Sequence, residues 1–144
     1  MAVPKRFHCR AGALTSSLAL CLSALPVSAE DQWHICEPFE RRVTCIVDGD
    51  TLWFHGQKMR LRNIDTPEID GKCHQERQLA SRATQRLLVL VQSGVRTITR
   101  YGHDPYGRAL VTVETNVGMA GDILLREGLA DRFGDGIRAN WCRS

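Results

Sequence analysis

Residues 58–68 have the sequence KMRLRNIDTPE, which is the most informative stretch of the chain for predicting the fold. Taken as a strand, residues 58–64 place Met59, Leu61 and Asn63 on one side and Arg60, Arg62 and Ile64 on the other. Successive side chains of a strand point to opposite faces, so the alternation predicts a β-strand over residues 58–64 that directs both arginines the same way. The strand is predicted to end in a cluster of acidic and polar groups, DTPE.

On either side of this stretch, four more segments predict strands because they are rich in β-branched residues or bounded by turn residues: residues 42–47, 51–55, 95–101 and 108–114. Residues 76–92 carry apolar side chains at helical spacing, and residues 118–127 predict a second, shorter helix. This periodicity alone supports only a small α+β or barrel domain. The order β-β-β-α-β-β-α is that of an OB-fold, so we predict an α+β fold built on a five-stranded β-barrel with helices.

The N-terminus predicts a signal peptide. Three basic residues precede an uncharged apolar run over residues 11–27, and Val27-Ser28-Ala29 fits a small-x-small cleavage pattern. A buried core helix or a membrane anchor is the alternative, but Pro26 and the small residues after it favour cleavage. We therefore expect a signal peptide over 1–29 and one domain over 30–144, exported to a periplasm or secreted, monomeric and free of the membrane.

The charge of the mature chain is balanced. Removing Lys5, Arg6 and Arg10 leaves 16 basic against 16 acidic residues, so bulk charge gives no argument for a nucleic-acid partner. Of these basic residues, 14 are arginine, whose planar fork of donors suits phosphate. An arginine-rich composition explains the same bias equally well.

Four cysteines follow the predicted cleavage point: Cys36, Cys45, Cys73 and Cys142. An even number in a small exported domain predicts two disulfides, for which three pairings are possible. Proximity along the chain favours Cys36–Cys45, and a bond from Cys73 to Cys142 would fix the C-terminal tail. A zinc site using Cys73 and His74 is the rival hypothesis, but no paired CxxC spacing supports it.

Three polar clusters lie at predicted strand ends: Asp48-Gly49-Asp50-Thr51, then Arg60 with Asp65-Thr66-Pro67-Glu68, and Asp104-Pro105-Tyr106-Gly107-Arg108. Phosphodiester hydrolysis needs a hard cation, a group that handles water, and positive donors for the developing charge. Asp50 and Asp65 could converge on one ion, and oxygen ligands favour Ca²⁺ or Mg²⁺ over zinc. Glu68 is close enough along the chain to reach an adjacent water.

Each cluster also has an ordinary structural interpretation. Asp-Gly is a common hairpin turn, the DTPE segment resembles a capped helix start, and Tyr-Gly-Arg could be a plain turn. These interpretations do not explain why all three clusters occur together, in this order, each at a strand end.

The combination resembles the staphylococcal nuclease (thermonuclease) family over about residues 43–130. The matching motifs are IVDGDT at 46–51, RL followed by IDTPE within 60–68, DPYGR at 104–108 and LREGLA at 125–130. The resemblance implies a Ca²⁺-dependent nuclease, a hydrolase that cuts DNA and RNA. Compared with the family's prototype, the loop after DTPE is shorter and a long third helix is missing.

The resemblance also gives each site residue a role. It implies that Ca²⁺ is bound by the carboxylates of Asp50 and Asp65 and by the backbone carbonyl of Thr66. It implies three catalytic residues: Glu68 as the general base, and Arg60 and Arg108 as the arginines that bind the phosphate. A second hypothesis is a non-catalytic nucleic-acid-binding module of the same fold, because OB-folds often only bind.

Overall fold

The structure is a computed structural model that describes residues 32–134 and 138–142. The predicted signal peptide, residues 1–29, lies outside the described residues. Among the residues that are described, no helix has the length and apolar composition needed to cross a bilayer.

Eight strands and two helices make up this part of the chain. In chain order they are β1 (Cys45–Ile46), β2 (Thr51–Phe54), β3 (Gln57–Leu61), β4 (Ile64–Asp65), α1 (His74–Gln92), β5 (Val95–His103), β6 (Ala109–Thr115), β7 (Gly118–Met119), α2 (Ala120–Arg126) and β8 (Asp131–Arg132). Every strand and helix predicted from the sequence has a counterpart here. The short strands β7 and β8 were not predicted.

The main sheet is mixed, with strand order β1-β2-β3-β6-β5 and β7 attached to β6. Strand β3 runs parallel to β6, whereas the other ladders are antiparallel. Between the described strands no ladder joins β5 to β1, so the sheet is not closed into a barrel. The structure therefore confirms an α+β fold with a mixed sheet and two helices, but not the five-stranded barrel.

The predicted strand over residues 58–64 is wrong in its last part. Strand β3 ends at Leu61, the chain turns through Arg62 and Asn63, and β4 begins at Ile64 to pair with β8. Asn63 has a φ of 61°, a left-handed conformation that asparagine adopts more readily than most residues. The turn resets the alternation, so Ile64 enters the core instead of sharing a face with Arg60.

Helix α1 begins at His74, two residues earlier than predicted, because Cys73 and Glu76 cap it. The Cys73 sulfur accepts from the Glu76 backbone N–H at 3.4 Å, and the Glu76 carboxylate accepts from the Lys72 N–H at 2.8 Å. The arrangement differs from a capping box in that Glu76 accepts from the residue before the N-cap, not from the N-cap itself.

The hydrophobic core lies between the sheet and the inner faces of both helices. Its largest fully buried apolar side chains are Ile46, Leu52, Met59, Leu61, Leu87, Leu90, Leu124, Val91, Val111 and Val113. Burying one such side chain contributes about 1.5–3 kcal/mol relative to leaving it exposed. The buried residues of β2, β3 and β4 hold the strand ends that carry the polar clusters.

Both predicted disulfides are present, Cys36–Cys45 and Cys73–Cys142. The first joins the segment before β1 to β1 itself. The second joins the N-cap of α1 to the tail that follows β8, across 69 residues of sequence. The zinc hypothesis for Cys73 is therefore wrong, because its sulfur is bonded to Cys142.

We expect the double substitution Cys73→Ser/Cys142→Ser to lower the free energy of unfolding by about 2–4 kcal/mol, since the bond restricts a long loop in the unfolded chain. Urea unfolding followed by circular dichroism measures the change. The serine that replaces Cys73 keeps an oxygen that can cap α1, so the helix start is preserved. The matched control is Cys36→Ser/Cys45→Ser, which opens a much shorter loop and should cost less. An unchanged urea midpoint in the first variant would contradict the expectation.

Candidate active site

The turn between β1 and β2 brings the first cluster against the second. A Cβ atom built on Gly49 would lie 2.6 Å from the Ala83 Cβ and 3.0 Å from the Thr66 Cβ, so only glycine fits between α1 and the DTPE segment. The ladder between β2 and β3 pairs Thr51 with Arg60. Together these two contacts place Asp50 beside both Arg60 and the end of β4.

The Arg60 guanidinium joins the two candidate metal ligands. Its Nη1 lies 2.6 Å from the Asp50 Oδ2, and its Nη2 lies 3.2 Å from the Asp65 Oδ1. Nη2 also donates to the Ile64 carbonyl at 3.1 Å. Both carboxylates are almost completely buried, and the arginine side chain is 13% exposed. The structure thus brings Asp50, Asp65 and Arg60 together.

One guanidinium faces two buried carboxyl groups here. Burial raises the pKa of Asp50 to about 7, with a further contribution from the charge of Asp48, while Arg60 and the Thr51 hydroxyl oppose the rise. Arg60 compensates two buried carboxylates with one charge, and buried charges are costly unless they are paired. The residues present therefore fit a hard divalent cation bound by Asp50 and Asp65, and the adjacent buried Thr66 could contribute its carbonyl.

The third cluster holds Arg108 at the start of β6. Asp104 accepts from the backbone N–H groups of Tyr106 and Arg108, both at 2.9 Å, and its Oδ2 lies 2.6 Å from the Arg108 Nε. Burial would raise the pKa of Asp104, but these hydrogen bonds outweigh it and hold the pKa below its usual value. Asp104 therefore stays ionised and fixes the turn that presents Arg108.

One cavity of about 620 Å³ contains both candidate phosphate-binding arginines, Arg60 and Arg108. It is also lined by arginine and aromatic side chains that form three pairs. The distances from guanidinium carbon to ring centroid are 5.8 Å for Arg60 and Phe133, 4.0 Å for Arg62 and Tyr101, and 5.6 Å for Arg108 and Tyr106. Basic groups interleaved with exposed rings are typical of surfaces that bind single-stranded nucleic acid.

Glu68, the candidate general base, is exposed and connects to the cavity through a residue far away in sequence. Its Oε1 lies 3.1 Å from the Nη1 of Arg138, which lines the cavity. The Cys73–Cys142 bond joins the loop that carries Glu68 to the tail that carries Arg138. Cys73 lies five residues after Glu68, and Cys142 lies four residues after Arg138. An exposed ion pair by itself contributes only about 0–1 kcal/mol, so the disulfide is what keeps the two segments adjacent.

Arg138 and Tyr101 were not identified from the sequence. Arg138 lies in the tail, 70 positions from Glu68, and no local pattern indicates that contact. Tyr101 lies in a segment that was assigned only as strand. The spacing of Arg60 and Arg62 was the one sequence signal for this part of the cavity, because it predicted that both arginine side chains would point the same way.

Other groups of potential metal ligands exist, but each contains a disulfide sulfur. Within the described residues these groups are His34 with Glu40 and Cys45, and Cys73 with Glu76 and Cys142. Both sets lack a free thiolate, the form in which cysteine binds zinc.

One protein family matches this chain, although no curated protein does. The family model, described as staphylococcal nuclease homologue, matches residues 58–137. The matched region contains Arg60, Asp65, Glu68 and Arg108, and it covers more than half of the sequence. The chain therefore belongs to the staphylococcal nuclease homologue family.

Proposed function

We propose that the protein is a Ca²⁺-dependent nuclease that hydrolyses phosphodiester bonds in DNA and RNA. The observation that carries the proposal is the contact of one guanidinium, that of Arg60, with two buried carboxylates at the wall of a cavity that also holds Arg108. Family membership supports it, because the family consists generally of nuclease hydrolases.

The proposal gives each residue a task. Asp50, Asp65 and the Thr66 carbonyl hold Ca²⁺, which when bound neutralises charge on the phosphate as a Lewis acid. Arg60 and Arg108 donate to the phosphate oxygens. Glu68 removes a proton from the attacking water. Arg60 links the two parts of the site, since it contacts both candidate metal ligands and lines the cavity.

Two further features belong to this proposal. The two disulfides support action outside the cytoplasm, because such bonds persist in oxidising compartments. The strand order supports an OB-type barrel, because pairing of β5 with β1 would close the five main strands.

We expect the mature protein to hydrolyse single-stranded DNA in Ca²⁺ and to lose this activity in excess chelator. The physical reason is that Asp50 and Asp65 then have only Arg60 as counter-charge, and the phosphate loses its Lewis acid. The measurement is the initial rate of release of acid-soluble fragments, with Ca²⁺ added back after chelation.

The matched control is Asp122→Asn, which removes a carboxylate on α2 that has no part in the proposed chemistry and should retain the wild-type response to Ca²⁺. Asp50→Asn and Asp65→Asn should abolish the response. Full activity in chelator would refute the calcium assignment. Tight binding of DNA without hydrolysis under every metal condition would instead support the non-catalytic binding module.

A further inference from the structure

Arg62 differs from the other arginines that line the cavity. Three of the four have carboxylate partners, namely Arg60 with Asp50 and Asp65, Arg108 with Asp104, and Arg138 with Glu68. Within residues 32–134 and 138–142, no carboxylate lies within ion-pair distance of Arg62. Its guanidinium lies over the ring of Tyr101, 4.0 Å from the centroid. Within the part of the chain that the structure describes, the positive charge of Arg62 at the cavity wall can therefore meet an anionic ligand.

The position of Arg62 relative to Arg60 suits a polynucleotide. Arg60 lies in β3 and Arg62 lies in the turn that follows it, and both line the same cavity. Two residues of chain span at most about 7 Å between Cα atoms. This spacing is of the same order as that between neighbouring phosphates along one nucleic-acid strand. If Arg60 contacts the scissile phosphate, Arg62 lies within reach of the next one.

Tyr101 adds a surface for a base. Its side chain is 50% exposed at the cavity, although one face of the ring is covered by the Arg62 guanidinium. A planar guanidinium stacked on a ring offers an extended π surface, and unpaired bases stack on such surfaces irrespective of their sequence. A base inside a duplex is already stacked on its neighbours and cannot make this contact without being displaced.

We propose that Arg62 and Tyr101 form a subsite that binds the nucleotide next to the scissile phosphodiester in an unpaired strand. In this subsite Arg62 binds the non-scissile phosphate, and the base stacks on the pair formed by Arg62 and Tyr101. This proposal rests on the proposed nuclease function, and it concerns the part of the substrate that lies beyond the reacting bond.

The test compares a substrate that is long enough to occupy the subsite with one that is not. One is a single-stranded DNA octamer, and the other is a mononucleotide phosphodiester with a chromogenic leaving group, which cannot extend to a second nucleotide. For Arg62→Ala and Tyr101→Ala, the ratio of kcat/KM for the octamer to that for the mononucleotide ester should fall about tenfold. Tyr101→Phe keeps the ring and should keep the wild-type ratio.

Salt dependence separates the phosphate contact from the stacking contact. Arg62→Ala should reduce the slope of log kcat/KM for the octamer against log salt concentration by about 0.7, whereas Tyr101→Ala should leave the slope unchanged. The control is Arg82→Ala, which removes the same charge from the exposed face of α1 and should change neither the ratio nor the slope.

The outcomes distinguish this subsite from the proposed function. If the wild type hydrolyses both substrates and Arg62→Ala behaves like Arg82→Ala, the subsite is overturned while the nuclease function stands. If the wild type hydrolyses neither, the nuclease function fails, and fluorescence anisotropy of a labelled octamer still tests the subsite. Equal anisotropy-derived Kd values for wild type and Arg62→Ala would then overturn it.

Discussion

Arg60→Ala should lower kcat/KM for single-stranded DNA by about 10²–10³-fold, because one transition-state donor of this kind is worth about 3–4 kcal/mol. It should also destabilise the fold. Without Arg60, the carboxylates of Asp50 and Asp65 remain buried and lose the guanidinium that contacts them both. Removing one partner of a buried ion pair costs about 3–5 kcal/mol.

These two effects can be separated with Ca²⁺. In Arg60→Ala a bound cation would take over as counter-charge for the two carboxylates, so Ca²⁺ should raise the Tm of this variant more than that of the wild type. Arg60→Lys should recover part of the stability but little of the turnover, since one ammonium group cannot replace the fork of donors. Turnover and Tm are measured on the same preparations.

The control for Arg60 is Arg86→Ala, which removes an arginine that also pairs with a carboxylate. Arg86 contacts Glu127 between α1 and α2, where both side chains are about one-third exposed. Its loss should cost no more than about 1 kcal/mol and leave turnover unchanged. A folded Arg60→Ala protein with turnover close to that of wild type would remove Arg60 from the chemistry.

The second large effect is expected for Glu68→Gln, which should lower kcat by about 10²–10⁴-fold, the usual contribution of a general base. Glutamine keeps an oxygen that can accept from Arg138, so the contact of the tail with the loop should survive. The substitution removes the proton acceptor together with its negative charge. Binding of Ca²⁺ and of the octamer should remain close to wild type, as measured by calorimetry and anisotropy.

Asp70→Asn provides the matched control for Glu68. Asp70 is an exposed carboxylate in the same loop, and its substitution removes the same charge two residues away. If Asp70→Asn lowered kcat as much as Glu68→Gln, the loop would act only through its negative charge. An unchanged kcat in Glu68→Gln would leave Glu68 without a catalytic role.

The elements with strong local signals were predictable. Strand β6 alternates buried and half-buried residues along its whole length, and helix α1 buries a stripe that includes Ala83, Leu87 and Val91. The alternation of residues 58–62 does not determine where β3 ends, and extending it to Ile64 assigns a buried isoleucine to the face of Arg60. The break lies at the left-handed conformation of Asn63. Asparagine before a buried isoleucine is a weak indication of such a turn.

The candidate site was predictable in its members but not in its contacts. The motifs identified Asp50, Asp65 and Arg60, and the strand ends implied that the two carboxylates converge. The sequence could not reveal that Arg60 joins both carboxylates, because that contact depends on the register of β2 and β3 and on the space left by Gly49. The pairing of Glu68 with Arg138 depends on a disulfide that closes over 69 residues.

The disulfides also determine what a single cut by a protease does to the molecule. Cys36–Cys45 and Cys73–Cys142 each close a covalent ring, and a cut inside either ring leaves its two fragments joined. Residues 46–72 lie between the rings and contain most of the candidate site. Their exposed residues are His55 and Gly56, Asn63, residues 68–70, and Lys72. A cut at one of these positions divides the chain into two unlinked pieces, so inactivation by proteolysis depends on how well these short exposed stretches resist cleavage.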